Sequence, residues 1–386
     1  MAGQSTSLKP RRVDNLGAMT NLHQPLTLRG LEIANRIWLP PMCQYHCTNR
    51  DGVPEGWHFA HYGARAVGGF GLLIAESTGV TPEGRISPAC TGLWNDEQEK
   101  AWAEIVAFVH SQGAKMGVQL NHAGRKSSTV PALPGQPDYG SQTIPEEHGG
   151  WRPVAPSPVA GPNMATPKEL DRDEIRALPE HFAAAARRAV RAGFDLVEIH
   201  AAHGYLLHQF LSPLTNHRED SWGGSFHDRT RLLSLVVTAV RGVIPDDMPL
   251  LVRLSATDWV DDEPAWDLEQ TVTLAQELKT AGVDLIDVTS GGLVPAEIPV
   301  GPNYQVRFAE EIRRRADVPT AAVGMITSPQ QAEAIIAEDR ADAVLVGREA
   351  LRDPNFPLRA AHDLGVAREK IAYPDSYHRG AWPDPR

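Results

Sequence analysis

Apolar runs recur along the chain, and segments with helical spacing lie between them. Eight of these runs are nearly continuous rather than alternating, which is typical of parallel strands that are covered on both faces. The eight predicted strands are IWLPPM (37–42), LLIAES (72–77), MGVQLNH (116–122), LVEIHAAH (196–203), LLVRLSA (250–256), LIDVTSG (285–291), TAAVGM (320–325) and AVLVGR (343–348). Because strands and helices alternate and the strands number eight, the pattern predicts an α/β fold of the (β/α)₈, or TIM barrel, type. A doubly wound sheet is the alternative, but no Gly-x-Gly-x-x-Gly motif follows the first strand.

The segments between the strands carry helix signals. Residues 96–112 place apolar side chains on one face, and residues 171–192 open with acidic residues and end at Gly193. Ser328 followed by Pro329 is typical of a helix that starts with a serine N-cap and a proline at its first position.

Two regions exceed what a barrel needs. Residues 127–167, after the third strand, form a long Pro- and Gly-rich loop, which we expect to fold over the barrel mouth as a lid or lining. The tail from Tyr373 onward is aromatic and basic, which favours a docking segment over a disordered end. We therefore expect a single barrel domain over residues 21–386, preceded by a flexible extension over residues 1–20.

Composition and charge exclude several partners. The 386 residues are 42% hydrophobic and carry a net charge of −11 with no basic run, which argues against binding to nucleic acid or an anionic membrane. No apolar stretch is long enough to span a bilayer. The first twenty residues carry charges but no apolar h-region, so we do not expect a secretory signal. The three cysteines make no even disulfide framework, so a reducing cytoplasm is expected. Cys43 and Cys47 resemble half of a metal site without a second pair, so no metal is predicted.

The chemistry concentrates at the end of the fourth strand, where His200, His203 and Tyr205 follow an apolar run. Such a polar cluster is costly to bury without a purpose, and catalytic groups of barrels lie at the C-terminal ends of the strands. We therefore interpret this stretch as one wall of an active site. Ligation of zinc or iron by the two histidines, as in a barrel hydrolase, is the competing reading. Against it, Glu76 is the sole carboxylate at a strand end and Arg253 would repel a cation.

Glycines at the last two strand ends favour a phosphorylated ligand. Gly324 and Gly347 let the backbone approach a phosphate, and phosphate sites after strands seven and eight are frequent in barrels. Arg348 adds a charge-assisted donor. Taken singly, each glycine would indicate only an ordinary turn between a strand and a helix.

Together, the motifs PPMCQY (40–45), HFAHYGARA (58–66), QLNHAGRK (119–126), EIHAAHGYLLHQFLSPLTNHREDSWGGSFHDR (198–229), VRLSA (252–256), VGMI (323–326) and VGREALRDP (346–354) resemble the old yellow enzyme family. The resemblance runs from about Asn21 onward. It implies a FMN-dependent ene-reductase that consumes NADPH or NADH and reduces activated C=C bonds of α,β-unsaturated carbonyl compounds. Cys43 with Tyr45 and an arginine near the C-terminus resembles the thermophilic-like subclass, which includes xenobiotic reductases.

The resemblance also implies roles for matching residues. Those that would bind FMN are Pro40, Pro41, Met42, Cys43, Ser77, Gln119, Arg253, Gly324, Met325, Gly347 and Arg348. Those that would bind substrate are Tyr45, Lys126, His200, His203 and Arg379, with His200 and His203 donating to the carbonyl oxygen and Tyr205 supplying a proton after hydride transfer from flavin N5. Arg379 would reach a neighbouring subunit, which implies a homodimer or homotetramer. A non-catalytic barrel that binds flavin or phosphate is the third alternative.

Overall fold

The computed structural model describes residues 20–383, and its strands follow one another as a small hairpin and then a closed barrel. The strands, in chain order, are β1 (Leu26–Leu28), β2 (Leu31–Ile33), β3 (Ile37–Leu39), β4 (Leu72–Gly79), β5 (Lys115–Asn121), β6 (Val154–Ala155), β7 (Lys168–Glu169), β8 (Leu196–Ala201), β9 (Leu250–Ser255), β10 (Leu285–Thr289), β11 (Thr320–Ala322) and β12 (Ala343–Leu345). Eight of them, β3, β4, β5 and β8 to β12, pair in parallel, and β12 returns to pair with β3. The predicted (β/α)₈ barrel is therefore confirmed, and the doubly wound alternative is wrong because the sheet closes.

Ten helices accompany these strands among the described residues. They are α1 (Gly56–Val67), α2 (Asp96–Ser111), α3 (Arg172–Ala192), α4 (Leu206–Leu211), α5 (Phe226–Arg241), α6 (Leu268–Thr280), α7 (Val306–Ala316), α8 (Pro329–Ala337), α9 (Arg348–Arg352) and α10 (Phe356–Asp363). The predicted helix ends are confirmed. Asp171 and Ser328 accept backbone N–H bonds as N-caps of α3 and α8, and α3 ends at Gly193 in the left-handed conformation.

Alternation along the strands sorts the barrel interior into layers, because successive side chains point to opposite faces. The layer nearest the N-terminal ends of the strands is apolar and includes Leu196, Leu251 and Leu285, and the hairpin β1–β2 packs Leu28 and Ile33 against it. Two residues further along the strands the buried residues are polar: Gln119, Glu198, Arg253 and Asp287. A further two residues bring Asn121, His200, Ser255 and Thr289 to the C-terminal ends. The apolar layer thus closes one end of the barrel and leaves a polar floor beneath the other.

The loop after β5 packs against the C-terminal ends of the strands, as expected. The backbone N–H of Thr129 donates to Ile86 (2.8 Å) and the indole of Trp151 donates to Glu83 (2.9 Å), both in the segment after β4. Buried Arg125 donates to the carbonyl oxygens of Val159 and Leu293. These bonds join the loop to the segments that follow β4 and β10, so it lines the rim of the barrel mouth.

The C-terminal tail docks on the opposite end of the barrel. Residues 372–376 border a groove of about 480 Å³ together with Asn35, Gly71 and Ala114, each of which directly precedes or lies just before a barrel strand. The tail then forms a short 3₁₀ helix, Asp375–Gly380, that carries Arg379. Arg379 therefore lies on the face remote from the C-terminal strand ends of its own chain.

Two further sequence predictions concern the chain ends and membranes. Apart from Thr20, the flexible extension predicted for residues 1–20 lies outside the described residues, and the bounds of the single domain stay a prediction. Within residues 20–383, no helix combines the length and the apolar character that crossing a bilayer requires.

Candidate active site

A cavity of about 370 Å³ opens at the C-terminal ends of the strands, within the range of roughly 300–1,000 Å³ that is usual for cofactors and small ligands. It lies where β3 and β9 to β12 end. Nine of the residues predicted to bind ligands line it: Pro40, Pro41, Met42, His203, Arg253, Gly324, Met325, Gly347 and Arg348. The structure thus brings together residues as distant in the sequence as Pro40 and Arg348.

The turn after β11 needs glycine for steric reasons. Gly324 has φ +134°, and a Cβ there would lie 3.2 Å from the backbone nitrogen of Gln305. Met325 follows with φ 53°. A Cβ on Gly347 would make only ordinary contacts with Pro40 and Met42, so that glycine is not required sterically. Gly324 therefore lets the backbone approach a ligand closely at this end of the cavity, and Arg348 and Arg352 add positive charge to the same wall.

Gln119 and Ser77 lie deeper, on β5 and β4. The Nε2 of Gln119 donates to Oε1 of Glu198 at 2.8 Å, and the hydroxyl oxygen of Ser77 accepts from Asn121 Nδ2 at 2.8 Å. Among the described residues none donates to Oε1 of Gln119. The amide is thus oriented by Glu198, with its carbonyl oxygen left to accept a hydrogen bond from a ligand.

Arg253 is part of a buried charge network in the barrel floor. Its Nε lies 3.1 Å from Oδ2 of Asp287, and both side chains are almost inaccessible to solvent. Burial, with the neighbouring Asp287 carboxylate, raises the pKa of Glu198 well above its usual range. Burial also raises the pKa of Asp287, although Arg253 opposes that rise. Two buried carboxyl groups beside one guanidinium cannot both ionise readily, so we infer that Glu198 holds the proton and Asp287 carries the charge that faces Arg253.

His200, His203 and Tyr205 form a compact aromatic cluster at the end of β8. The ring centroids of His200 and His203 lie 5.3 Å apart at an interplanar angle of 85°, and Tyr205 lies 4.8 Å from His200. His203 has φ 56°, a left-handed conformation that turns the chain where the strand ends. The three side chains therefore lie together at this strand end, and His203 lines the cavity.

Both histidines are neutral donors rather than cations. Burial lowers the pKa of each imidazole well below the usual value, and the positive charge of Arg253 lowers it further. Nδ1 of His200 accepts the backbone N–H of Ala202, so its proton is on Nε2. Nε2 of His203 lies 3.0 Å from Oγ1 of Thr289. Because that hydroxyl donates onward to Gln305, it accepts from His203 Nε2–H.

Lys126, Tyr45 and Cys43 surround this cluster. The Lys126 ammonium donates to the carbonyl oxygens of His203 and Gly292 and lies 5.7 Å from the centroid of the Tyr205 ring. Burial, together with Arg125, lowers the pKa of Lys126 to about 8. Tyr45 and Cys43 are half-buried and pack with Tyr205 in one small apolar cluster. All three residues therefore stand near Tyr205, whereas Arg379 of the same chain does not.

Sequence reasoning missed several residues that shape this site. Glu198 and Asp287 sit inside runs that were read as continuously apolar, although their place two residues before a polar strand end marks them as inward-facing. Thr289 and Gln305 orient His203, and Tyr304 lines the cavity. The loop that carries Tyr304 and Gln305 has no motif that would have signalled them.

The lining residues fit FMN. Cationic Arg348, with the close backbone approach at Gly324, suits a phosphate. The apolar side chain of Met42 and the guanidinium of Arg253, which line the same cavity, suit a flat, polar-edged ring system. The lining thus matches a ligand that carries both a phosphate and a heteroaromatic ring system.

Comparisons with known proteins agree with this fit. The model of the NADH:flavin oxidoreductase / NADH oxidase family matches residues 21–366. An NADPH dehydrogenase of Geobacillus thermodenitrificans is 47% identical over 362 residues, covering 94% of this chain and 98% of the relative. One of Listeria welshimeri is 46% identical over 365 residues, covering 94% and 100%. The structure of morphinone reductase matches with a TM-score of 0.74 at 32% identity, covering 90% of each chain.

These matches decide between the alternatives left open by the sequence. The matching family consists of flavin oxidoreductases, and the relatives are named NADPH dehydrogenase. The hypotheses of a metal-dependent hydrolase and of a non-catalytic barrel are therefore wrong. The chain belongs to the NADH:flavin oxidoreductase / NADH oxidase family, also called the old yellow enzyme family, and is an FMN-dependent oxidoreductase that uses NAD(P)H.

Proposed function

We propose that the enzyme is an ene-reductase, which reduces the activated C=C bond of α,β-unsaturated carbonyl compounds. The observation that carries the proposal is the cluster of His200, His203 and Tyr205, in which each ring centroid lies about 5 Å from its neighbour. Two neutral imidazoles and one phenol at a single strand end offer two hydrogen-bond donors beside a proton source. The structural neighbour named morphinone reductase is a reductase by its name, which agrees with a reductive reaction.

His200 and His203 are proposed to bind the carbonyl oxygen of the substrate. When bound, FMN supplies the hydride for the reaction. Negative charge then builds on the carbonyl oxygen, and one well-placed donor to such an oxygen is typically worth about 3 kcal/mol. His200 offers Nε2–H directly. His203 donates Nε2–H to Thr289 in the structure, and we propose that the substrate oxygen replaces Thr289 as its acceptor.

Tyr205 is proposed to deliver the proton that completes the reduction. Burial raises the pKa of its phenol well above the usual value, so the group stays protonated at neutral pH and can act as a general acid toward a developing enolate. The ammonium of Lys126 near the face of its ring would stabilise the phenolate that results. Tyr45 is proposed to contact the substrate from the other side.

The residues that would hold FMN divide by the part of the cofactor that they suit. Arg253 would balance negative charge on the pyrimidine portion of the ring, and Gln119, oriented by Glu198, would hydrogen-bond its edge. The remaining proposed contacts are Pro40, Pro41, Met42, Cys43 and Ser77 to the ring system, and Gly324, Met325, Gly347 and Arg348 to the phosphate. Ser77 could also donate its hydroxyl proton, since its oxygen already accepts from Asn121.

We further propose a homo-oligomer, a dimer or tetramer, in which Arg379 completes the active site of a neighbouring subunit. The support is topological: the tail docks beside residues that precede the barrel strands, on the face opposite its own active site. An exposed arginine held there can serve a substrate carbonyl or phosphate only in another chain. We also propose a cytoplasmic location, which the three free thiols support.

The proposed function is tested by product analysis without oxygen. Purified FMN-loaded enzyme is incubated with NADPH and 2-cyclohexenone under argon, and the organic products are identified by gas chromatography. We expect one cyclohexanone for each NADPH consumed. If cyclohexenone is recovered unchanged while NADPH is still oxidised on admission of air, the enzyme is an oxidase rather than an ene-reductase.

A further inference from the structure

Three side chains with metal-ligating atoms converge beside the cavity. They are Cys43 after β3, Glu76 on β4 and Cys90 in the segment after β4, and their ligand atoms all lie within 4.8 Å of one another. Cys90 and Glu76 are fully buried, and Cys43 is half-buried. Cys47, whose spacing from Cys43 drew attention in the sequence, is buried but does not belong to this group among the described residues. The set is therefore a product of the fold and cannot be read from sequence spacing.

Glu76 is held in place by partners that leave one oxygen unsatisfied. The ladder between β4 and β5 shifts register between Ala75 and Thr78, an irregularity that changes the direction of the side chains there. The backbone N–H of Gln44 donates to Oε2 of Glu76 at 3.0 Å. Oε1 lies 3.3 Å from Nε2 of His58 yet makes no hydrogen bond of acceptable geometry with any described residue. Nε2 of His58 likewise has no well-aligned hydrogen bond among the described residues, so the two buried atoms face each other and Oε1 can still accept a further ligand.

The electrostatics of the group favour a cation. Contact with Cys90, burial and the Glu76 carboxylate all raise the pKa of the Cys43 thiol. In this dry site, therefore, the surroundings of Cys43 disfavour its thiolate when no cation is bound. A bound divalent cation reverses this relation, because it stabilises each ligand as an anion. Thiolates are preferred ligands of Zn²⁺ and related soft cations.

We propose that Cys43, Cys90 and Glu76 form a binding site for a soft divalent cation of the Zn²⁺ or Cd²⁺ class. Binding replaces the two S–H bonds by metal–sulfur bonds and releases two protons to solvent, while the carboxylate adds a metal–oxygen bond. Zinc–ligand bonds of about 2.0–2.3 Å place tetrahedral ligands roughly 3.5 Å apart. The ligand atoms, which lie within 4.8 Å of one another, therefore have to approach by roughly 1.3 Å at most. Three protein ligands leave the fourth position for water. His58 would act as the outer partner that orients Glu76.

The test measures how much metal the FMN-loaded protein binds after its thiols have been reduced, and it does not depend on enzyme activity. Equilibrium dialysis against Zn²⁺ should give one tightly bound ion per chain, with two protons released as the ion binds. Cd²⁺ should produce a thiolate-to-metal absorption band in the ultraviolet. We expect Cys90→Ser and Cys90→Ala to abolish the band and the stoichiometric binding, and His58→Gln to weaken affinity by about 10–100-fold.

Cys47→Ser is the matched control, since Cys47 is equally buried but outside the group. This variant should bind Zn²⁺ and Cd²⁺ as the unmodified chain does. Folding of every variant is followed by circular dichroism and by retention of FMN. Absence of stoichiometric Zn²⁺ binding to the unmodified holoenzyme would overturn the proposal. So would equal loss of binding in the Cys47→Ser and Cys90→Ser variants. Because enone reduction is not measured, failure here would leave the proposed ene-reductase function untouched.

Discussion

The backbone N–H of Ala202 donates to Nδ1 of His200 across 3.2 Å, within the turn that ends strand β8. This bond places the single proton of the neutral imidazole on Nε2, where it can be donated to a ligand. Local backbone geometry therefore sets the tautomer that the proposed carbonyl contact requires. Since burial lowers the pKa of the same ring well below its usual value, His200 acts as a neutral donor at physiological pH.

Replacing His200 by alanine should slow enone reduction specifically. One of two donors to the carbonyl oxygen is lost, and removal of a single donor of this type typically costs about 10²–10³-fold in rate. The measurement is stopped-flow reoxidation of the NADPH-reduced enzyme by 2-cyclohexenone. Reoxidation by molecular oxygen needs no carbonyl donor and should change little. His181→Ala, at an exposed position on α3, serves as the control and should match the unmodified enzyme.

Tyr205→Phe should leave the fold intact and slow the protonation step. Loss of a positioned general acid typically costs about 10²–10⁴-fold. Reoxidation of the reduced enzyme by an enone, followed with NMR of the product formed in deuterated water, checks the rate and the stereochemistry of protonation. Tyr139→Phe, in the loop after β5, is the matched control. Unchanged rate and unchanged stereochemistry in Tyr205→Phe would assign the proton to another donor.

Replacing Glu198 and Asp287, the two buried carboxyl groups of the barrel floor, by their amides should change stability by different amounts. If Glu198 already holds the proton, Glu198→Gln keeps the charge balance and should change the free energy of unfolding little. Asp287→Asn leaves the buried guanidinium of Arg253 without its counter-charge, and breaking a buried ion pair typically costs about 3–5 kcal/mol. Urea denaturation of both variants measures the difference. Equal destabilisation would place the proton elsewhere.

Most of the architecture was predictable, because strand and helix boundaries carry local signals. Gly193 ends α3 and Ser328 starts α8, each for a reason visible in the sequence. The first barrel strand ends at Leu39 instead of the predicted residue 42, because prolines follow it. The position of His200 and His203 was predictable as well, since they follow an apolar strand. The partners of these residues were not. Glu198 and Asp287 meet only because β8 and β10 flank β9, and the approach of Cys90 to Cys43 depends on the path of a loop that has no secondary-structure signal.

Because the pKa of Lys126 is lowered to about 8, we expect the affinity for enones to depend on pH in the alkaline range. Above that pH the ammonium near Tyr205 loses its charge, so affinity for enones should fall as the pH rises through about 8. The pKa of Lys126 is lower in the folded protein than in the unfolded chain. Between these two pKa values the unfolded chain binds more protons, so the contribution of Lys126 to the free energy of unfolding rises with pH. Titration of ligand affinity against pH is the measurement. A Lys126→Met variant whose affinity falls over the same pH range would contradict the assignment.

Deleting the chain from Tyr377 onward, or replacing Arg379 by alanine, should raise the KM for enones while FMN is retained. A charge-assisted hydrogen bond contributes about 1.5–3 kcal/mol, so the expected change is roughly tenfold or more. Steady-state kinetics and the flavin absorbance of the purified variants measure the two effects. Arg176→Ala, an exposed arginine on α3, is the control. Unchanged kinetics in the truncated enzyme would contradict a role of Arg379 in a neighbouring site.

The most direct test of the central claim, that His200 and His203 together hold the carbonyl oxygen of the substrate, is a crystal structure of the FMN-loaded enzyme with p-hydroxybenzaldehyde. We expect the flat ring of this ligand to stack on the flavin and one of its oxygens to enter the proposed carbonyl site. We predict that this oxygen lies within hydrogen-bonding distance of a side-chain nitrogen of both histidines, and that His203 has released Thr289. A ligand oxygen bound by other residues, with His203 still bonded to Thr289, would contradict the account.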